Sequence, residues 1–404
     1  MTSLAATHSS YIIQRNPEKF GGRQADFLER EGSAVTSACT LIRECVDKEK
    51  DITACFYKVL RGLARARKQA AISHKSANSD FFGTRRDDEA DCKEICHGKS
   101  LILLTFLNGD YSEFHTKMFT SLTSIINRLP HTNEKFLKTT YSTDSIALGR
   151  LNRFTLEVLT PKKVSSLLIS PTLDELNKAV ENFESTTIID FQTNARLLAT
   201  LKERNSELYK RLKTSLQISQ YLLHYPSIKD IPGVINYLVT LEQKPSLNCF
   251  YLLATNRIEI EGKLFALSQY FTRIYCDLNS STAPVKLGSP IMVIHQDTFL
   301  IGKTLENISK VFRDCITSRI DKIGLGELQT KIGLLRYEFS HCMPFLRGSA
   351  AIGEWLEKAI YRFHGFKPTH SSRTIGDCEA LTALDLEKFL TVYPTTITLD
   401  PIVS

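Results

Sequence analysis

Proline 344 separates two segments whose apolar residues recur at helical spacing, and this break constrains the fold more than any other feature of the chain. In "GELQTKIGLLRYEFSHC" the side chains of Leu328, Ile332, Leu335 and Phe339 share one face. In "SAAIGEWLEKAIYRF" a second stripe runs through Ile352, Trp355, Leu356, Ala359, Ile360 and Phe363. Proline donates no backbone hydrogen bond and disfavours helix in the residue before it, so the first helix must end between 341 and 343. The second is expected to start at 348–349, with Ser349 as its cap, and to stop at the His364-Gly365 pair.

Similar periodicity fills most of the remaining sequence. Helices are predicted over "SAVTSACTLIRECVDKEK" and over "DITACFYKVLRGLARARKQAA", the latter capped by Asp51. The polar stretch 74–99 reads as an exposed loop and a domain boundary. Helical patterns follow at 101–129, 170–183 and 187–224, and 246–279 continues the alternation of apolar and charged positions. "LEVLTP" and "SSLLIS" suit short strands, and 285–301 suits a short β-hairpin. Another amphipathic helix is expected from Thr304. The predicted fold is therefore mostly α, a multi-helix protein with a short β-hairpin near 285–301. Three regions are expected: 1–95, 96–280 and a functional region over 281–404.

Composition narrows the function by exclusion. The net charge of +7 is small for 404 residues, and its densest cluster, "RGLARARK", lacks the interleaved aromatics of a nucleic-acid surface. The ten cysteines are scattered through apolar helical patterns, which suits buried reduced thiols rather than a disulfide framework. The first twenty residues lack a basic segment leading into an apolar core, so no cleavable signal peptide is expected. No run of apolar residues is long enough for a membrane span.

Several motif fragments fail on spacing. "HGKS" and "IGKT" end like phosphate-binding loops, but Lys93 and Asp297 stand where the first glycine must be. Cys92, Cys96 and His97 have no second ligand pair with zinc spacing, so no metal site is expected. Whether a metal is needed as an added ion is left open by the sequence.

The break around Pro344 carries the remaining functional signal. A helix N-terminus exposes unpaired N–H groups and partial positive charge, which attracts phosphate. Gly348 allows close approach to the backbone, Ser349 adds a hydroxyl, and Arg347 can hold phosphate through two parallel hydrogen bonds. Glu338 and His341, three apart at the end of the preceding helix, are the candidate orienting acid and general base. The competing reading makes Ser349 a cap and Arg347 a surface residue.

"PFLRGSAA" resembles the Fic-type AMP-transferase motif, in which His-Pro-Phe leads to Gly-Asn-Gly-Arg ahead of a helix. Pro344, Phe345 and Gly348 match it. Met343 stands at the position of the motif's histidine, and Ser349, Ala350 and Ala351 replace its Asn-Gly-Arg, so no Fic catalytic residue carries over. The segment is also similar to elements of bacterial toxins and translocated effectors. That resemblance implies an effector delivered into the host cytosol, with AMP or phosphoryl transfer from ATP to a host protein as its activity. The alternatives are a resident cytoplasmic protein and a non-catalytic helical module that binds a host or regulatory partner.

Overall fold

The structure is a computed structural model. It describes residues 23–48, 51–74, 76, 79–88, 104–107, 112–128, 140–159, 188–189, 249–275, 286–287, 291–296, 298–370 and 376–402. The helix expected at 170–183 and the strand expected at "SSLLIS" lie outside these residues, and of the helix expected at 187–224 only Ile188–Ile189 is described, as strand rather than helix. The chain forms two units. One joins Met1–Ile95 to Ile301–Ser404, and the other is Cys96–Leu300.

The second unit overturns the mostly-α expectation. Its strands are β1 (Leu104–Leu107), β2 (Thr140–Ala147), β3 (Arg150–Leu159), β4 (Ile188–Ile189), β5 (Cys249–Ile260), β6 (Lys263–Tyr275), β7 (Lys286–Leu287) and β8 (Ile291–His295). The sheet order is β1-β8-β6-β5-β3-β2, every neighbouring pair antiparallel. In addition β4 lies parallel to β6, and β7 pairs antiparallel with β6. The protein is therefore mixed α/β.

Burial on both faces explains why 246–279 looked helical. Leu264 to Thr272 of β6 are all buried, so the strand lacks the inside–outside alternation that identifies a half-exposed strand. The turn carries the missed signal. Glu261 and Gly262 join β5 to β6 with φ of 54° and 76°, and Leu148 and Gly149 join β2 to β3 with φ of 52° and 71°. Two consecutive positive-φ residues give the twist a tight hairpin needs, and glycine adopts that region at no steric cost. The hairpin expected at 285–301 is also corrected, because β7 and β8 each pair with β6.

Among its described residues the first unit is helical apart from one antiparallel pair of short strands. From the early segment come α1 (Arg23–Asp47) and α2 (Ile52–Ser73). Asp51 caps α2 as expected, its side chain accepting from Thr53 N at 2.9 Å. The unit's later helices are α4 (Thr298–Thr317), α5 (Ile320–Cys342), α6 (Ser349–Phe363), α7 (Gly376–Thr382) and α8 (Leu386–Val392), while α3 (Ser112–Ile126) belongs to the sheet unit. Strands β9 (Phe366–His370) and β10 (Ile397–Pro401) form an antiparallel pair. Thr304 is buried inside α4 rather than capping it. Cys39, Cys45, Cys55, Cys315, Cys342 and Cys378 are buried and take part in no disulfide.

Helix α6 is the centre of this unit. Trp355, Leu356, Ala359 and Ile360 are fully buried, and Trp355 meets Phe27 of α1 with ring centroids 5.8 Å apart. Gly353 lets α5 approach closely, since a Cβ there would lie 2.8 Å from both Arg336 Nη1 and Phe339 Cδ1.

Candidate functional site

Helix α5 ends where Pro344 requires. Met343 follows in the left-handed region (φ 43°), and its N–H donates to Phe339 O at 2.9 Å. The chain then runs extended to Gly348 against residues 81–86. Arg86 N donates to Pro344 O (2.8 Å), Leu346 N to Thr84 O (2.9 Å), Arg347 N to Phe81 O (3.0 Å) and Gly83 N to Arg347 O (3.1 Å). Part of the stretch read as an exposed loop is thus a backbone partner of the 344–348 turn.

Arg86 completes this junction. It is 1% exposed, and its guanidinium donates to the Met343 and Cys342 carbonyls at 2.7 and 2.6 Å. Those carbonyls lie where α5 runs out of its own donors, and a cation is favourable at that end of a helix.

The expected phosphate-binding residues divide by environment. Gly348, not Ser349, is the N-cap of α6, with φ 88° and no side-chain bond. A Cβ at Gly348 would lie 2.8 Å from Arg67 Cγ, so glycine is required by both conformation and space. Ser349 Oγ accepts from Phe345 N (2.9 Å) and donates to Phe345 O (3.1 Å), closing the turn on itself. Arg347 is half-buried, its guanidinium 4.8 Å from the centroid of Phe82.

Removing the Ser349 hydroxyl should therefore loosen the turn. Ser349→Ala is expected to cost about 1–3 kcal/mol by leaving Phe345 N buried without its acceptor. Ser349→Asp should not recover that loss, because position 349 is not the cap. Urea melts of the two variants check this, and full rescue by Asp would restore the capping assignment.

Glu338 and His341 are placed elsewhere. Both are fully buried. Glu338 accepts from Asn307 Nδ2 of α4 at 2.7 Å. His341 packs its ring 4.4 Å from that of Tyr337 and hydrogen-bonds to the Ala380 backbone. Burial pushes its pKa down to about 3, offset only in part by that backbone bond, so the ring is neutral at pH 7. The structure gives these two residues different neighbours from Arg347 and does not gather them with it.

Two residues not singled out in the sequence do meet Arg347. Arg67 of α2 is 4% exposed and stacks on the same Phe82 ring at 4.3 Å. Burial, and then the charge of Arg347, depress its pKa to about 10. Burial likewise lowers that of Arg347. Nearby Arg85 differs: burial opposes its charge too, but a two-pronged bond to Asp87 (2.8 and 2.5 Å) outweighs it and raises the pKa. Pattern reading assigns charged side chains to the surface, so only the spacing of Arg67 on the buried stripe of α2 could have shown this.

A second polar cluster lies around α6. Lys358 pairs with Glu31 of α1 and, at 2.6 Å, with Glu354. Arg336 Nη2 is 3.5 Å from Asp377 Oδ1, and its Nε is 3.8 Å from Glu357 Oε2. His370 Nε2 of β9 is 3.9 Å from both Glu354 and Glu357. Tyr393 OH donates to Glu357 Oε1 at 2.5 Å. Among the described residues, no group of three or more His, Cys, Asp or Glu could hold a metal ion, and no helix is long and apolar enough to cross a membrane.

Residues 253–400 match the family model AvrB_AvrC, described as avirulence protein. The matched span contains α5, the 344–348 turn and α6, while Arg67 and Phe82 lie outside it. No curated protein matches the chain. Over that span, less than half of the chain, the protein is similar to an avirulence family, and the match supports a bacterial avirulence effector.

Proposed function

We propose that this effector binds the phosphates of a nucleotide at Arg347, Gly348 and Ser349 and transfers an AMP or phosphoryl group from ATP to a host protein. The observation that carries the reading is the position of the Arg347 guanidinium, half-exposed on Phe82 at the start of the fifteen-residue helix α6. A guanidinium and a helix N-terminus both favour an anion. In AMP transfer the acceptor oxygen bonds to the α-phosphorus, the α–β bridge breaks and pyrophosphate leaves. In phosphoryl transfer the γ-phosphorus is attacked and ADP leaves. Glu338 and His341 are enclosed in the last turn of α5, so in this reading they position the turn, and the proton of the acceptor is assigned to neither.

Arg347→Ala should weaken ATP binding by about 1.5–3 kcal/mol, the worth of a charge-assisted contact, without unfolding the protein. Calorimetry with ATP, ADP and GTP checks this, and labelled ATP with a host-cell lysate reads transfer. No wild-type binding at millimolar nucleotide would remove the proposal.

The competing reading is a non-catalytic module that binds a host protein. It is favoured by the burial of Glu338 and His341, and by an open groove of about 580 Å³ between α1 and α2. Small side chains line it, among them Ala34, Ser37, Ala38, Gly62 and Ala66, which would admit a partner helix.

A further inference from the structure

We infer that the protein pairs with a second copy of itself along the outer edge of β2, the two sheets joining across a two-fold axis at Thr143. The pairing goes beyond the phosphate-binding reading and uses none of its residues.

In the order β1-β8-β6-β5-β3-β2 the two edges of the sheet are β1 and β2. Strand β1 has four residues and β2 has eight, and among the described residues only β3 pairs with β2. An open edge of that length is a template for another strand, and sheets usually blunt it with lysine, proline or a bulge. The sequence TYSTDSIA contains neither residue, and its pairing with β3 runs unbroken from Thr140 to Ala147. Its single charge, Asp144, is taken up by Arg153 of β3 through two 2.7 Å bonds. Ile146 is 72% exposed, and Leu148 in the adjoining turn is exposed as well.

The hairpin decides which backbone groups face outward. Ala147 and Arg150 flank a two-residue turn and form its hydrogen-bonded closing pair. Bonding alternates along the ladder, so Tyr141, Thr143 and Ser145 bond to β3 while the N–H and C=O of Thr140, Ser142, Asp144 and Ile146 point away from it. In an antiparallel pair of copies, residues directly opposite each other lie on one face of the joined sheet. With Thr143 on the axis, Ser142 stands opposite Asp144 of the second copy and Thr140 opposite its Ile146, giving about eight backbone bonds. On the other face Tyr141 stands opposite Ser145, whose hydroxyl is enclosed with no hydrogen-bond partner among the described residues. Moving the axis to Asp144 sets two like charges opposite each other, and moving it to Ser142 shortens the paired segment. The strand is self-complementary in one register.

The test is sedimentation velocity of the full chain from micromolar to submillimolar concentration, where wild type should pass from monomer to dimer. Ser142→Pro removes an outward N–H and keeps the bonds to β3, so it should stay monomeric with a thermal melt close to that of wild type. Ile146→Lys should weaken dimerisation at least about tenfold, since it supplies the charge that edges usually carry. Thr143→Cys puts two thiols on the axis, where a non-hydrogen-bonded pair has Cα atoms about 4.5 Å apart, within disulfide reach. Mild oxidation should link that variant as a dimer and should leave Ser142→Cys, which lies off the axis, unlinked. A monomer at every concentration would overturn the inference. Protection of the β2 amides from exchange only on adding host-cell extract would overturn it too, giving the edge to an extended peptide of another protein. A dimer that survives Ser142→Pro, or that links at Ser142→Cys as readily as at Thr143→Cys, lies elsewhere and equally refutes it. The two cysteine variants decide if Ser142→Pro does not fold.

Discussion

Lys358→Met should destabilise the protein by about 3–5 kcal/mol at pH 7, the cost of leaving buried charge without its partner. Lys358 pairs with both Glu31 and Glu354. Burial and the neighbouring Glu354 already raise the pKa of Glu31. Burial also opposes ionisation of Glu354, but the charges of Lys358, His370 and Arg336 hold it well below the usual carboxylate range. Without Lys358 the two carboxylates would face each other across α1 and α6 with no cation bonded to either, His370 and Arg336 acting on Glu354 only from a distance. The diagnostic is the double variant Glu31→Gln, Lys358→Met, which should recover a good part of the loss. Additive losses in the urea-derived stabilities would mean that the three residues are not coupled.

The second large effect is a pH dependence set by His341. Its folded pKa of about 3 lies below its ordinary value of 6.5, so the unfolded chain binds a proton that the native state refuses. Stability from this group is full above pH 6.5 and falls as pH drops towards 3. A shift of that size amounts to roughly 5 kcal/mol over the whole window, with about half lost by pH 4.5. His341→Gln cannot titrate there, so it should be less stable than wild type at pH 7.5 but flatter between pH 6.5 and 4.5. Urea unfolding at the two pH values measures the difference. Parallel curves for the two proteins would show that the acid sensitivity belongs to other groups.

What the sequence made legible depends on how each segment is buried. Helix α6 was readable because Ile352, Trp355, Leu356 and Ala359 keep a helical period and Gly365 ends it. The end of α5 was readable because Pro344 removes a donor. The sheet was hidden because β6 is buried on both faces, leaving an apolar run that fits either period. The start of the first helix was also missed, since the pattern was read from Ser33 while α1 already begins at Arg23. Within the candidate site, Arg347 and Gly348 were found from local chemistry. Arg67 and Arg86 were not, because their roles depend on contacts with residues more than two hundred positions away in the chain, and single-segment patterns carry no information about such contacts.

The junction between residues 81–86 and the 344–348 turn also sets an order of events. Arg86 covers the end of a helix that is made long after it, and Phe82 waits for Arg347 across about two thirds of the chain. A molecule that emerges or is threaded from its early end carries α1 and α2 packed on each other, with the apolar surface that α6 covers still open. Neither guanidinium pairing on Phe82 nor the closed turn exists in any shorter piece. The binding residues are therefore competent only in a finished molecule, and a protein cut anywhere between the two segments and separated would lose them together.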